Sequence, residues 1–128
     1  MQDRPNYDEL LTAVERFLDD EVVAKSEGAL RFNGRVAANV IRIVRRELEN
    51  EEAALAREWD SLAELVGKAP RPRDRDALRA VLAQRNEELS RRIRSGDADA
   101  GEFRNAVVKH LRQAIHDKLT VTNPGWVE

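Results

Sequence analysis

The sequence has no cysteine, which excludes a disulfide framework, a thiolate nucleophile and any cysteine-ligated metal. Aromatic residues make up only 5%, too few to interleave with basic residues as a nucleic-acid-binding surface requires. Nor is charge of one sign in excess. With 22 basic against 24 acidic residues and a net charge of −2, neither nucleic acid nor an anionic membrane exerts a dominant pull. No run of about eighteen uncharged apolar residues occurs. The opening MQDRPNYDELL carries charges where a secretory leader needs an apolar run. Neither export nor membrane insertion is expected, and the cytoplasm is the expected compartment. Strand-like alternation, internal repeats and low-complexity tracts are missing as well.

What is present is helical periodicity and balanced charge. A chain of 128 residues that is 41% hydrophobic has the size and core of one domain. The expectation is a single all-α domain: a bundle of four to five helices around a central helix at about 29–48, with a flexible loop at 67–74 and an extended tail at 120–128. In the central stretch ALRFNGRVAANVIRIVRREL, Leu30, Ala37, Val40, Ile41, Val44 and Leu48 share one side at roughly 100° per residue, and Phe32, Val36 and Ile43 widen it. So broad an apolar arc is expected to be wrapped by the other helices on more than one flank.

The flanking segments read as follows. Pro5-Asn6 with Glu9 is a helix start with a capping box, and Leu10, Leu11, Val14, Phe17 and Leu18 form the apolar stripe of a first helix ending near Lys25, before Gly28. Phase is lost over Glu49-Asn50-Glu51-Glu52, where a break with Asn50 as a cap competes with one long bent helix. It resumes at Leu55, Trp59, Leu62 and Val66, and Gly67 closes it. KAPRPR is a linker. Asp74 caps a helix carrying Leu78, Val81, Leu82, Leu89 and Ile93 that stops at Ser95-Gly96. The turn DADAG supplies caps for a last helix with Phe103, Ala106, Val107, Leu111, Ala114, Ile115 and Leu119.

Candidate sites are few. Asn33 projects to the apolar arc of the central helix, where an amide needs a partner; it is a structural hydrogen bond, a local cap or a polar group lining an interior pocket. Arg85 falls on the inward stripe of its helix. Its stem lies on the core with the head at the rim, or it pairs with Glu47 or Glu51, or it forms an anion pocket with Asn86 and Asn33. On the outer face of the central helix, Arg35, Asn39, Arg42 and Arg46 recur at four- and three-residue spacing, as a solvated face or a partner surface. His110 and His116 are six residues apart, out of register for the i, i+4 pair of a helical metal site. The residues three before them are Val107 and Gln113, so the Glu-x-x-His pattern of di-iron bundles is not met. No catalytic constellation, metal site or cofactor is expected.

Several short stretches carry a resemblance: Gln2-Asp3-Arg4-Pro5 with Glu9-Leu10-Leu11, Leu30-Arg31-Phe32, Arg35-Val36-Ala37-Ala38-Asn39, Arg45-Arg46-Glu47-Leu48, Arg92-Ile93-Arg94 near Gly96, and Lys118-Leu119 with Asn123-Pro124. Together they resemble a bacterial family of small all-helical proteins catalogued as a domain of unknown function. The resemblance implies genes near aminoglycoside-kinase-like phosphotransferases and acyl-CoA dehydrogenases. It supplies no catalytic residue. Where that family often has histidine, this chain has Asn33.

Three functions follow as expectations. The first is a non-enzymatic accessory or interaction module for another protein, such as a co-encoded phosphotransferase-like enzyme; it calls for an exposed apolar patch involving Trp59 or Trp126. The second is a bundle that binds an acyl or phosphorylated small molecule through Asn33, Arg85, Asn86 and His110. The third is an enzyme assembled from Arg35, Asn39 and His110. A homodimer is compatible with each, and a nucleic-acid or membrane partner with none.

Overall fold

Asn6 opens the first helix as its place after Pro5 predicts. In the computed structural model, which describes residues 3–127, the Asn6 side chain accepts from the Glu9 amide at 2.9 Å. The Glu9 carboxylate accepts from the Asn6 amide at 3.3 Å, completing the capping box. Helix α1 covers Tyr7–Phe17 and widens into a π-helical stretch, Leu18–Val23, in which the Ala24 amide donates to Asp19 O, five residues back, at 3.1 Å. Helix α2 then runs without interruption over Gly28–Val66. The break expected at Glu49–Glu52 is absent: of the two competing readings, the single long helix is the one adopted. Glutamate is a good helix former, and Glu51, which would have lain across the apolar arc as an unpaired charge, is 6% exposed and faces Arg75 and Arg79.

Asp74 caps α3, Arg75–Arg94, by accepting from the Ala77 amide at 2.9 Å. Its C-terminus is a complete Schellman motif: the Gly96 amide donates to Ile93 O and the Asp97 amide to Arg92 O, at 3.1 and 3.2 Å, with Gly96 in the left-handed region at φ +93°. Helix α4 covers Gly101–Thr122. The expected aspartate caps do not engage it; Ala100 is the N-cap with no side-chain bond, and Asp97 instead accepts from Arg92 Nε at 3.1 Å. The extended tail begins later than expected, because the Thr120 and Thr122 hydroxyls donate back to His116 O and Lys118 O and so remain in the helix. A 3-10 turn, Pro124–Trp126, follows. Among the described residues there is no strand, so the fold is all-α, and no helix is long and apolar enough to cross a membrane.

The chain divides into two compact units, Met1–Glu49 and Asn50–Glu128, with α2 contributing to each. The first is a two-helix hairpin. Its close approach depends on Gly34: a Cβ there would lie 2.9 Å from Val22 Cγ1 and 3.1 Å from Val23 Cγ2. One turn on, Ala38 is fully buried. Further along the contact, Arg42 Nε donates to Glu15 at 2.9 Å and Arg42 also reaches Asp19, while Arg45 donates to Asp8 at 2.9 Å and to Glu15 at 2.7 Å. Wrapping of the central helix on several flanks is corrected here. Leu30, Phe32, Val36, Val40, Val44 and Leu48 are exposed, since in this unit α1 alone flanks α2.

The second unit is a three-helix bundle of the C-terminal part of α2 with α3 and α4. Trp59, Leu62, Leu65, Leu78, Leu82, Leu89 and Val107 form its core, and Leu62 is wholly buried. The C-terminal carbonyls of α2 are met by α3: Arg92 donates to Leu65 O at 2.5 Å, and Arg85 donates to Gly67 O. Two cations thus satisfy orphan acceptors at the negative end of the helix dipole.

Candidate functional site

Two surfaces qualify, one in each unit. In the N-terminal unit, α1 exposes Tyr7, Leu10, Val14 and Phe17, and α2 exposes Leu30, Val36, Val40, Val44 and Leu48, each at about half of its area. Spacing of three and four residues on α1, and of six and four on α2, gathers each set into a stripe. In antiparallel helices joined at the Gly34 contact, the helical register puts both stripes on the side of the hairpin opposite the Arg42 and Arg45 ion pairs. Asn33 belongs to this exposed stripe. The interior location that a pocket role required of it is therefore corrected: its arc is apolar but uncovered.

The ion-paired side is well fixed. Burial works against the Arg42 charge, but Asp19 and Glu15 more than offset it and raise its pKa; bonds from Asp8 and Glu15 likewise raise that of Arg45. Arg42 is thus engaged with α1 and does not stand in an open outer row with Arg35 and Asn39, both of which are exposed. Arg46 is half-buried.

In the C-terminal unit a polar chain crosses the three helices. Asn86 Nδ2 on α3 donates to Glu58 Oε1 at 2.8 Å and to Leu82 O at 3.0 Å. One turn along α2, Ser61 Oγ lies 3.3 Å from Glu58 O and 2.5 Å from His110 Nδ1 on α4. His110 is 3% exposed. Burial pushes its pKa below the ordinary imidazole value, with Glu58 opposing and Lys118 reinforcing, so the ring is neutral near pH 7. Among the described residues no carboxylate is hydrogen-bonded to that ring, so the pair lacks the orienting group of a nucleophile–base arrangement.

Above this chain lies an open groove of about 1040 Å³ between α2 and α4, with Ser61 and His110 in its lining and Arg57, Arg104, Lys109 and Arg112 along it. Arg57 is bound bidentately by Asp117 at 2.8 and 3.1 Å, which raises its pKa. Among the described residues Arg104, Lys109 and Arg112 have no ion-pair partner. Expected as a ligand residue, Asn86 is joined to His110 through Glu58 and Ser61. Arg85 is not in this chain; its guanidinium lies 4.9 Å from the centroid of the Trp59 ring and its donor goes to Gly67 O. The head itself, with Nε buried, rests on the core at Trp59 and is not carried to the rim. Glu58 and Ser61 were missed from sequence, although each directly precedes an inward position, Trp59 and Leu62, at the margin of the stripe.

Of the two tryptophans named for an apolar patch, Trp59 is buried and Trp126 is 78% exposed. No three histidine, aspartate or glutamate side chains converge to hold a metal ion among the described residues. Neither the curated proteins nor the solved structures give a match. The family model of DUF6285, a domain of unknown function, matches residues 24–126, from just before α2 to the 3-10 turn, and the chain belongs to that family.

Proposed function

We propose that the protein is a non-enzymatic interaction module whose docking surface is the apolar side of the N-terminal hairpin. The observation that carries this reading is the joint stripe of Tyr7, Leu10, Val14 and Phe17 with Leu30, Val36, Val40, Val44 and Leu48. Nine such side chains, each about half exposed, amount to on the order of 900 Å². That exceeds the largest apolar patch of a typical monomer and matches one side of a stable protein–protein interface. A two-helix hairpin is also too thin to bury both of its faces, so its second face calls for a partner. The family resemblance adds phosphotransferase-like and acyl-CoA-metabolising enzymes as partner classes.

The test is the size of the tagged protein in extract of its host, with mass spectrometry of what co-elutes. Wild type elutes in an assembly and the Val40→Glu variant elutes as a monomer. An unchanged assembly in that variant would remove the hairpin from the reading.

A second reading rests on the groove over Ser61 and His110: a site for a small anion, phosphorylated or carboxylic, held by Arg104, Lys109 and Arg112. Titration with inorganic phosphate and with hexanoate, followed through the His110 ring resonances, tests it. Resonances that move no more than that of the Trp126 indole, which lies outside the groove lining, would count against it.

A further inference from the structure

We infer that the occupant of the hairpin's apolar side is a second copy of this chain, the two hairpins closing into a four-helix bundle. This rests on the docking reading above and names its partner.

Three observations select a second copy. The first is area: on the order of 900 Å² from each side meets what a stable dimer interface buries, about 800 Å² per partner. The second is geometry. Two antiparallel helices with one apolar side are half of a four-helix bundle, and an isologous two-fold contact supplies the other half from identical surfaces. The spacing of Tyr7, Leu10, Val14 and Phe17, alternately three and four, is the seam that packs side chains of one helix between those of another.

The third is charge. Residues 3–27 carry eight carboxylates against three cations, and residues 28–49 carry five arginines against two glutamates. Each hairpin is therefore one acidic and one basic helix, bound to each other by Arg42 and Arg45. A second copy aligned so that α1 lies against the partner's α2 repeats that acidic-to-basic pairing, whereas α1 against the partner's α1 sets like charges together. The field thus favours one arrangement; a two-fold along the helices keeps the level at which Glu15 sits between Arg42 and Arg45, which places Val14 of one chain near Val44 of the other.

The experiment is sedimentation equilibrium of the purified full chain, wild type and Val40→Glu, with helicity followed by circular dichroism. Wild type is expected to be a dimer and Val40→Glu a monomer of unchanged helicity, since Val40 is half exposed in the monomer. Because the chain has no cysteine, arrangement is read by mixing Val14→Cys and Val44→Cys chains under oxidation: the mixed covalent dimer should exceed either self-linked dimer several-fold. A wild type that remains monomeric to millimolar concentration overturns the inference. If the host extract still shows a Val40-dependent assembly, the docking reading survives it; if the extract also shows only monomer, both fail. A dimer that Val40→Glu leaves intact, or self-linked dimers in excess, likewise overturns the inference.

Discussion

His110 and Ser61 hold each other at 2.5 Å across the contact between α4 and α2, and the ring that makes this bond is almost wholly buried. Replacing Ser61 with alanine leaves Nδ1 without that bond in a place water reaches poorly. The expected cost is about 1–3 kcal/mol, read as a lower urea midpoint. Ser61→Thr, which keeps the hydroxyl, should recover most of it.

The same ring makes stability depend on pH. Its pKa is depressed in the folded chain, first by burial. The unfolded chain therefore takes up a proton near pH 6.5 that the folded chain refuses until lower pH. The stabilisation is complete above that value and declines as the solution is acidified through the window below it. Urea midpoints at about pH 7.5 and pH 5.5 should differ for wild type, and the difference should shrink in His110→Gln. Equal slopes in the two proteins would sink the assignment to His110.

Gly34 makes room for Val22 and Val23. Alanine would gain about 0.5–1 kcal/mol of helix propensity at an ordinary interior position, but here its Cβ meets Val22 Cγ1 at 2.9 Å, and valine has little rotamer freedom to yield. Gly34→Ala is expected to lower thermal stability in spite of its propensity, and Gly34→Leu to lower it further. Gly34→Ala combined with Val22→Ala should recover stability, a coupling read by a double-mutant cycle.

Arg85 joins Trp59 to the end of α2. Substituting lysine keeps the charge but loses the planar stack and the fork that reaches Gly67 O. A loss of about 1 kcal/mol and a red shift of Trp59 fluorescence are expected, and Arg85→Ala should exceed both. Trp126, largely exposed, supplies a constant background.

Much of the fold was legible because its signals are local. Asn6 with Glu9, Asp74, and Ser95-Gly96 each satisfy backbone groups within one turn, so their residue types alone place helix ends. The stripe Leu55, Trp59, Leu62 and Val66 follows the helix period and does face the core of its unit. Glu51 and Arg42 were less legible. A charge in an apolar arc reads as a break, and an arginine on a polar arc reads as solvated, until a neighbouring helix brings Arg75 and Arg79 to the one or Glu15 and Asp19 to the other. The polar chain from Asn86 to His110 had even less signal, for its four members come from three helices.

By itself, then, the sequence determined that the chain is all-helical, where most helices start and stop, and which arcs are apolar, because caps and the 3.6-residue period act over one or two turns. Tertiary structure alone decided which apolar arcs are covered. Leu62 and Val40 are indistinguishable as members of a helical stripe, yet one is sealed among three helices and the other lies half open beside α1, since burial depends on how many neighbours the chain brings to each side and a period carries no information about that.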